Sequence, residues 1–163
     1  MLKKIFILII IISSFTFGQV ASADAVVTVN MLSPLSIAAG AGSLDFGEIV
    51  LAGSPVTKTI QPTDGQVFNI TGTLNLHITI TYNSVTLTNT QWVSMYGGTV
   101  GNIAFAPNVQ TSDFKNVTSG KNYKLSNKGS IGTLDLIVGG TITVAANQPQ
   151  GDYTGLFTIT VSY

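Results

Sequence analysis

The sequence predicts a domain made only of β-strands, and three observations support this fold class. Apolar and polar side chains alternate in two segments, as they do in a strand whose two faces meet different surroundings. Glycine-containing turn signals recur between short apolar segments. No window of useful length shows the i, i+3, i+4 apolar spacing of an amphipathic helix. Short strands at near-regular spacing favour a sandwich or a barrel.

The clearest strand runs from Leu74 to Tyr82. Its even positions are apolar and its odd positions are polar, so one face is predicted to be buried. The last segment, 153–163, repeats this pattern with only Leu156 out of phase. Its predicted inward residues are Tyr153, Phe157, Ile159, Val161 and Tyr163, and its outward residues are Thr154, Thr158, Thr160 and Ser162.

Weaker alternation predicts further short strands along the chain. They are 25–32, 35–38, 44–50, 55–60, 66–70, 84–88, 91–96, 102–106, 132–138 and 141–145. Tight turns with positive φ are predicted at Asp64-Gly65, Gly97-Gly98, Gly139-Gly140 and Gly151-Asp152. The region 108–128 is rich in Asn, Ser, Thr and Lys, so we expect an exposed loop with at most one short strand around Tyr123.

The N-terminus has the pattern of a bacterial secretory signal peptide. Two lysines precede an apolar run, 5–17, that is too short to span a bilayer comfortably. The small residues Ala21-Ser22-Ala23 then predict a signal peptide of residues 1–23 with cleavage after Ala23; a cut after Gly18 is the alternative. No cysteine follows to carry a lipid anchor. We expect one exported domain, 24–163, in the periplasm, on the cell surface or outside the cell, with no membrane span after signal removal.

Composition narrows the function classes. Residues 24–163 contain five lysines against seven acidic residues, and the chain has no arginine, which argues against nucleic-acid binding. It also has no cysteine, so an exported domain of this sequence relies on burial and not on disulfides.

Residues that carry acid–base or metal chemistry are few. His77 is the one histidine and lies on the polar face of its predicted strand, so we expect it to face solvent. With no cysteine, a zinc site would need three carboxylates. Asp45 with Glu48, and Asp64 in its turn, are candidate calcium ligands, but turn formation is the favoured interpretation. We therefore expect no enzyme activity, no metal and no cofactor.

Two aromatic residues leave an alternative open. Trp92 and Tyr96 lie four residues apart, and core packing is the favoured use of an isolated tryptophan. The alternative is an aromatic platform for the face of a sugar ring.

Several blocks resemble a family of bacterial secreted domains with unassigned function. That family is similar to spore coat protein U and to the pilin subunits of archaic chaperone-usher pili. The blocks are Leu35-Ser36-Ile37, Leu44-Asp45-Phe46-Gly47, Gly139-Gly140-Thr141-Ile142-Thr143-Val144, Gly151-Asp152-Tyr153-Thr154-Gly155 and Thr158-Ile159-Thr160-Val161-Ser162-Tyr163. Such pilins end in an alternating strand with a tyrosine near its end and a glycine about a dozen residues earlier, and Gly151 and Tyr163 are similarly placed.

The resemblance implies an immunoglobulin-like antiparallel β-sandwich that works as a structural, fimbria-like subunit at the cell surface. Its implied partners are copies of itself or other surface subunits, joined by strand exchange, and a periplasmic chaperone. The alternative function is a secreted glycan- or matrix-binding module that uses Trp92, Tyr96 and the loop 108–128.

The segment 25–31 is the candidate exchanged strand. Its odd positions, Ala25, Val27, Val29 and Met31, form an apolar row, and Pro34 ends the strand because proline cannot donate to a ladder. Two interpretations remain open: the segment completes a sheet edge in its own domain, or it completes one in a neighbour.

Overall fold

The computed structural model describes residues 25–26 and 28–163 of the chain. The predicted signal peptide, 1–23, and its cleavage site after Ala23 lie outside the described residues. Residues 31–163 form one compact unit, whose fold is given below.

The described residues form ten strands and two short helical segments. The strands are β1 (Ser36–Ala39), β2 (Val56–Ile60), β3 (Gln66–Gly72), β4 (His77–Tyr82), β5 (Val85–Thr88), β6 (Asn102–Thr111), β7 (Lys121–Lys124), β8 (Ser126–Lys128), β9 (Ile131–Val144) and β10 (Ile159–Ser162). A 3₁₀ turn spans Pro62–Asp64, and helix α1 spans Thr90–Tyr96.

The strands form two antiparallel sheets of unequal size. The larger has seven strands in the order β1-β3-β9-β6-β5, with β2 and β8 also paired to β9. The smaller has three strands in the order β10-β4-β7. Apolar side chains from both sheets meet in the core, which confirms the predicted all-β antiparallel sandwich.

Strand β9 is the centre of the larger sheet and corrects one prediction. Gly139-Gly140 was expected to turn between two strands, but β9 runs straight through both residues. A Cβ at Gly139 would collide with the carbonyl oxygen of Ile60, and one at Gly140 would collide with the ring of Phe105. These glycines therefore allow a close approach of neighbouring chain rather than a hairpin.

A second predicted turn has the same explanation. Gly65 follows a 3₁₀ turn and has a negative φ of −96°, not the positive φ expected at Asp64-Gly65. A Cβ at Gly65 would collide with the carbonyl oxygen of Val138 in β9.

The core consists of two clusters. The first lies between the sheets and comprises Ile70, Ile78, Ile80, Val109, Val117, Leu125, Leu136, Val138 and Ile159. The second comprises Ile103, Phe105, Ile142 and Val144, which all belong to the larger sheet. Over this second cluster the apolar cover comes from residues 44–51 and 153–157, which are not in strands.

Two predicted strands are absent from the described residues. The segment 44–50 is not a strand, because Gly47 has a φ of 62° and interrupts its alternation. In the segment 25–32, the described residues 25–26 and 28–32 are not in a strand either. A strand needs a neighbour to satisfy its backbone groups, and no described strand pairs with these residues.

A third predicted strand, 91–96, is helix α1. Asn89 caps this helix, since its side-chain oxygen accepts a hydrogen bond from the backbone N–H of Trp92 at 3.0 Å. The expectation that no helix would form was therefore wrong. The missed signals were the N-cap asparagine and the i, i+3, i+4 spacing of Trp92, Met95 and Tyr96.

The region 108–128 is more ordered than predicted. Strand β6 extends to Thr111, and β7 and β8 follow within the same region. Val117 is 4% exposed and Leu125 is fully buried. The expectation of an exposed loop was wrong because these two apolar residues belong to the first core cluster.

Candidate functional site

The open edge of β10 is the candidate functional surface of the fold. On one side β10 pairs with β4, with Ile159 opposite Tyr82 and Ser162 opposite Thr79. Among the described residues, no strand pairs with its other side. An unpaired edge presents backbone N–H and C=O groups that another strand can bind.

The inward row of the last segment matches the sequence prediction from Phe157 to Val161, whereas Tyr163, predicted to face inward, is 45% exposed. Ile159 is 8% exposed, Phe157 and Val161 are half-buried, and Thr158 and Thr160 are exposed. Leu156, predicted to be out of phase, is 85% exposed.

The strand itself is shorter than predicted because the last segment changes sheets. Thr154 pairs with Thr88, next to the larger sheet, whereas Ile159 begins the pairing with β4 in the smaller one. Between them Gly155 packs closely on β5, where a Cβ would lie 2.8 Å from the Thr86 carbonyl oxygen.

Phe157 connects the two core clusters at the start of β10. Its ring lies 6.0 Å from that of Phe105 and 6.1 Å from that of Tyr82, measured between centroids. A third aromatic ring, Phe68, lies 6.4 Å away. The edge strand is thus anchored by aromatic contacts immediately before its pairing with β4 begins.

A small apolar cleft of about 50 Å³ lies beside Phe157. It is lined by Leu44, Phe46, Val85, Leu87, Phe105, Gly155 and Phe157. Hydrogen bonds hold the segment 44–51 beside this cleft. The Lys58 ammonium donates to the carbonyl oxygens of Phe46 and Glu48 at 3.0 and 2.8 Å.

Tyr163 joins the end of β10 to the start of the compact unit. Its hydroxyl donates to the Ser33 carbonyl oxygen at 2.7 Å and accepts the Thr73 N–H at 2.8 Å. The chain before Ser33 therefore leaves the unit beside the end of β10.

Apolar side chains in the chain that precedes Ser33 are exposed. Val26 is 90% exposed, Val29 is 83% exposed and Met31 is 85% exposed. Large exposed apolar side chains in series typically mark an interaction surface.

Tyr82 has a perturbed pKa next to this edge. Burial raises the pKa of Tyr82 above its ordinary value of 10.0, and the nearby Tyr123 hydroxyl raises it further. The hydroxyl donates to the Val117 carbonyl oxygen at 2.6 Å, which holds β4 against the chain that leads into β7.

Comparison of the sequence with family models assigns the chain to a known family. Residues 12–163 match the family model described as a domain of unknown function, DUF4402. The chain belongs to the DUF4402 family. A search among curated proteins finds no match.

The candidate calcium ligands of this DUF4402 domain are partly brought together. Asp45 and Asp64 line one open polar cleft of about 490 Å³ with Ser43, Thr59 and Gln61, whereas Glu48 is not among the lining residues. Asp45 accepts the Gly47 N–H at 2.8 Å, as a turn-forming aspartate does. Within residues 25–26 and 28–163, no three His, Asp or Glu side chains cluster as a metal site would require.

The remaining predicted residues have simple positions in the DUF4402 fold. His77 is exposed at the start of β4, opposite Lys124 of β7, as predicted for a solvent-facing strand residue.

None of the helices in the described part of the chain is long and apolar enough to cross a membrane.

Trp92 and Tyr96 are in contact on α1. Their ring centroids lie 4.3 Å apart with planes 38° apart, so the rings stack on each other and do not form one flat platform. Trp92 is half-buried and Tyr96 is 66% exposed.

Sequence reasoning missed the role of Tyr163. It also missed that the segments 44–51 and 153–157 pack over the second core cluster. Tyr163 was predicted as an inward apolar residue, but its hydroxyl contacts residues that are 90 and 130 positions away. The one available signal was the tyrosine at the end of an alternating strand.

Proposed function

We propose that this DUF4402 domain is an exported, non-enzymatic structural protein, a fimbria-like subunit of the bacterial surface. In this proposal it joins copies of itself, or other surface subunits, by strand exchange. The observation that carries the proposal is the unpaired edge of β10, which lies beside the point where the segment 25–31 leaves the compact unit.

The segment has the dimensions and chemistry of a donated strand. Seven extended residues reach about 24 Å, which exceeds the roughly 14 Å of the four-residue strand β10. Alternate apolar side chains in such a strand bury themselves on the core side while its backbone completes the ladder. Phe157 and Val161, on the inward face of the last segment, are half-buried and offer apolar surface at this edge.

Strand direction favours a neighbour over the same chain. Every strand pair in the two sheets is antiparallel. A segment that folds back along its own β10 from Ser33 would run parallel to β10, because Ser33 is held at the Tyr163 end. A neighbouring copy can present the same segment antiparallel, which pairs slightly more strongly per residue.

The export and surface location rest on the signal-peptide pattern of residues 1–23 and on the resemblance to spore coat protein U and archaic chaperone-usher pilins. The absence of enzyme activity rests on the residue inventory, which has one histidine and no cysteine. An exposed edge is an aggregation hazard before assembly, so the proposal includes a periplasmic chaperone that covers β10 in transit.

A pair of matched substitutions tests the proposal. Val29→Asp puts a charge into the apolar row of the segment, whereas Thr28→Asp puts the same charge into its polar row. Both side chains are exposed, so both variants fold, but only Val29→Asp is expected to prevent polymers in analytical ultracentrifugation.

Deletion of Asp24–Asn30 provides the second arm of the test. Loss of polymers from a domain that keeps its β-sheet circular dichroism supports exchange between chains. If the deletion variant is an unfolded monomer, the segment forms part of the core of its own domain. Polymers that survive the deletion contradict the proposal.

A further inference from the structure

A second surface, on α1, is independent of the β10 edge. Met95 is 63% exposed, Tyr96 is 66% exposed and Val100 is 55% exposed, and the half-buried Trp92 lies against Tyr96. We name these four residues the α1 patch. It lies in the connection between β5 and β6, whereas β10 belongs to the other sheet.

The α1 patch has a rigid base. Asn89 is 3% exposed; its side chain caps the helix and also donates to the Gln150 carbonyl oxygen at 3.0 Å. Gly101 brings the chain so close under the helix that a Cβ would lie 3.0 Å from Cδ1 of Trp92. The Gln148 amide donates to the Val100 carbonyl oxygen at 2.7 Å and fixes the loop after the helix.

Size argues against a protein as the occupant of this surface. A whole aromatic side chain buries about 150–250 Å², so Met95, Tyr96 and Val100 together offer roughly 300 Å². A specific protein–protein interface needs about 800 Å² on each partner. The α1 patch is therefore much too small for a stable protein partner but large enough for one or two sugar rings.

Charge and ring geometry narrow the ligand class. Residues 65–112, which include α1 and the strands it connects, contain no Lys, Arg, Asp or Glu. The segment 148–152, which contacts the base of the α1 patch, adds one carboxylate, Asp152, and no cation. One face of Tyr96 stacks on Trp92, and the residue as a whole is 66% exposed, so its ring keeps a solvent-accessible surface for the C–H face of a pyranose. Gln91, Ser94 and Thr99 are exposed on the same short stretch and supply amide and hydroxyl groups for sugar hydroxyls.

We propose that the α1 patch binds a neutral polysaccharide by stacking one sugar ring on the exposed ring of Tyr96, with Trp92 as its fixed support. The site adds a ligand to the proposed structural subunit and does not depend on strand exchange.

The single tryptophan makes the site directly observable, since all tryptophan fluorescence comes from Trp92. The secreted mature chain is titrated with cellohexaose, maltohexaose and mannohexaose, and with hexagalacturonate as a charged comparison. We expect a saturable change in emission with at least one neutral hexasaccharide and a weaker response to hexagalacturonate.

Tyr96→Ala is expected to weaken that binding by about tenfold or more. Phe114→Ala is the matched control, because Phe114 is 63% exposed and lies in the turn after β6; it should leave the binding unchanged. Circular dichroism of both variants shows whether they remain folded.

Three results would overturn the proposal. The first is a lack of saturable response to all three neutral hexasaccharides. The second is binding that survives Tyr96→Ala in a folded protein. The third is equal or tighter binding of hexagalacturonate.

Discussion

The Tyr163 hydroxyl donates a hydrogen bond to the Ser33 carbonyl oxygen at 2.7 Å and joins two residues that are 130 positions apart. The same hydroxyl accepts the Thr73 N–H at 2.8 Å. The end of β10, the turn after β3 and the start of the compact unit therefore meet at one side chain. This contact fixes where the N-terminal segment leaves relative to the edge strand.

Replacing Tyr163 with phenylalanine should destabilise the domain by about 0.5–1.5 kcal/mol, because one hydroxyl serves both a carbonyl acceptor and an N–H donor. Thermal unfolding followed by circular dichroism measures the change. Tyr96→Phe removes an exposed hydroxyl on α1 and should leave the melting temperature unchanged. Equal effects of the two substitutions would mean that the Tyr163 contact contributes nothing to stability.

Adjacent residues of β10 should respond oppositely to the same charge. Ile159 is 8% exposed in the first core cluster, and an unpaired carboxylate buried there costs several kcal/mol, so Ile159→Asp should prevent folding. Thr160 is exposed, so Thr160→Asp should fold normally. Soluble yield and circular dichroism compare them, and similar behaviour would show that the register of β10 is wrong.

Alkaline pH should weaken the fold through Tyr82. Because its folded-state pKa is raised above 10.0, the neutral hydroxyl stabilises the folded state below that pH. The contribution is lost as pH rises through the folded-state pKa. Denaturant unfolding between pH 8 and about pH 11 should therefore lose stability more steeply for the wild type than for Tyr82→Phe. Parallel curves would contradict this assignment.

The mature protein should begin at Asp24, because Ala21 and Ala23 place small side chains at the positions that a signal peptidase reads. Intact mass spectrometry of the exported protein checks this. A species that starts at Gln19 would favour cleavage after Gly18, and a retained signal would contradict the export proposal.

The sequence predicted those parts of the fold in which alternation decides burial. The inward row at Ile159 and the strand β4 follow from period two alone, because each strand has one buried face. The predicted strand began at Leu74, but β4 begins at His77, because Asn75 has a φ of 62° and lies in a turn. Local pattern could not show that Gly139 lies within β9, since the reason is a contact with Ile60, about 80 positions away. It also could not show that Val117 is buried, because one apolar residue in a polar segment carries no period.

The candidate site was predictable in part. The apolar row of the segment 25–31 was visible in the sequence, whereas the open edge that could receive it depends on the order of strands in the smaller sheet. Trp92 and Tyr96 were recognised as a pair, but a strand would place both on one face at a distance. Only the helix brings their rings to 4.3 Å.

Disulfide trapping tests strand exchange most directly, because the chain has no cysteine of its own. If the apolar row of the segment faces the core, its polar row lies on the outer face beside Thr160. Paired strands place facing Cα atoms about 4.5–5.5 Å apart, within the range that a disulfide spans.

The experiment mixes two single variants, one with Thr160→Cys and the other with Thr28→Cys or Asn30→Cys, under mild oxidation. We expect a disulfide-linked heterodimer between residue 160 of one chain and residue 28 or 30 of another, and its loss when Val29→Asp is added. The comparison is one chain that carries both Thr160→Cys and Thr28→Cys. If a disulfide forms within that chain, and no heterodimer appears in the mixture of single variants, the segment pairs with its own β10 and strand exchange is contradicted.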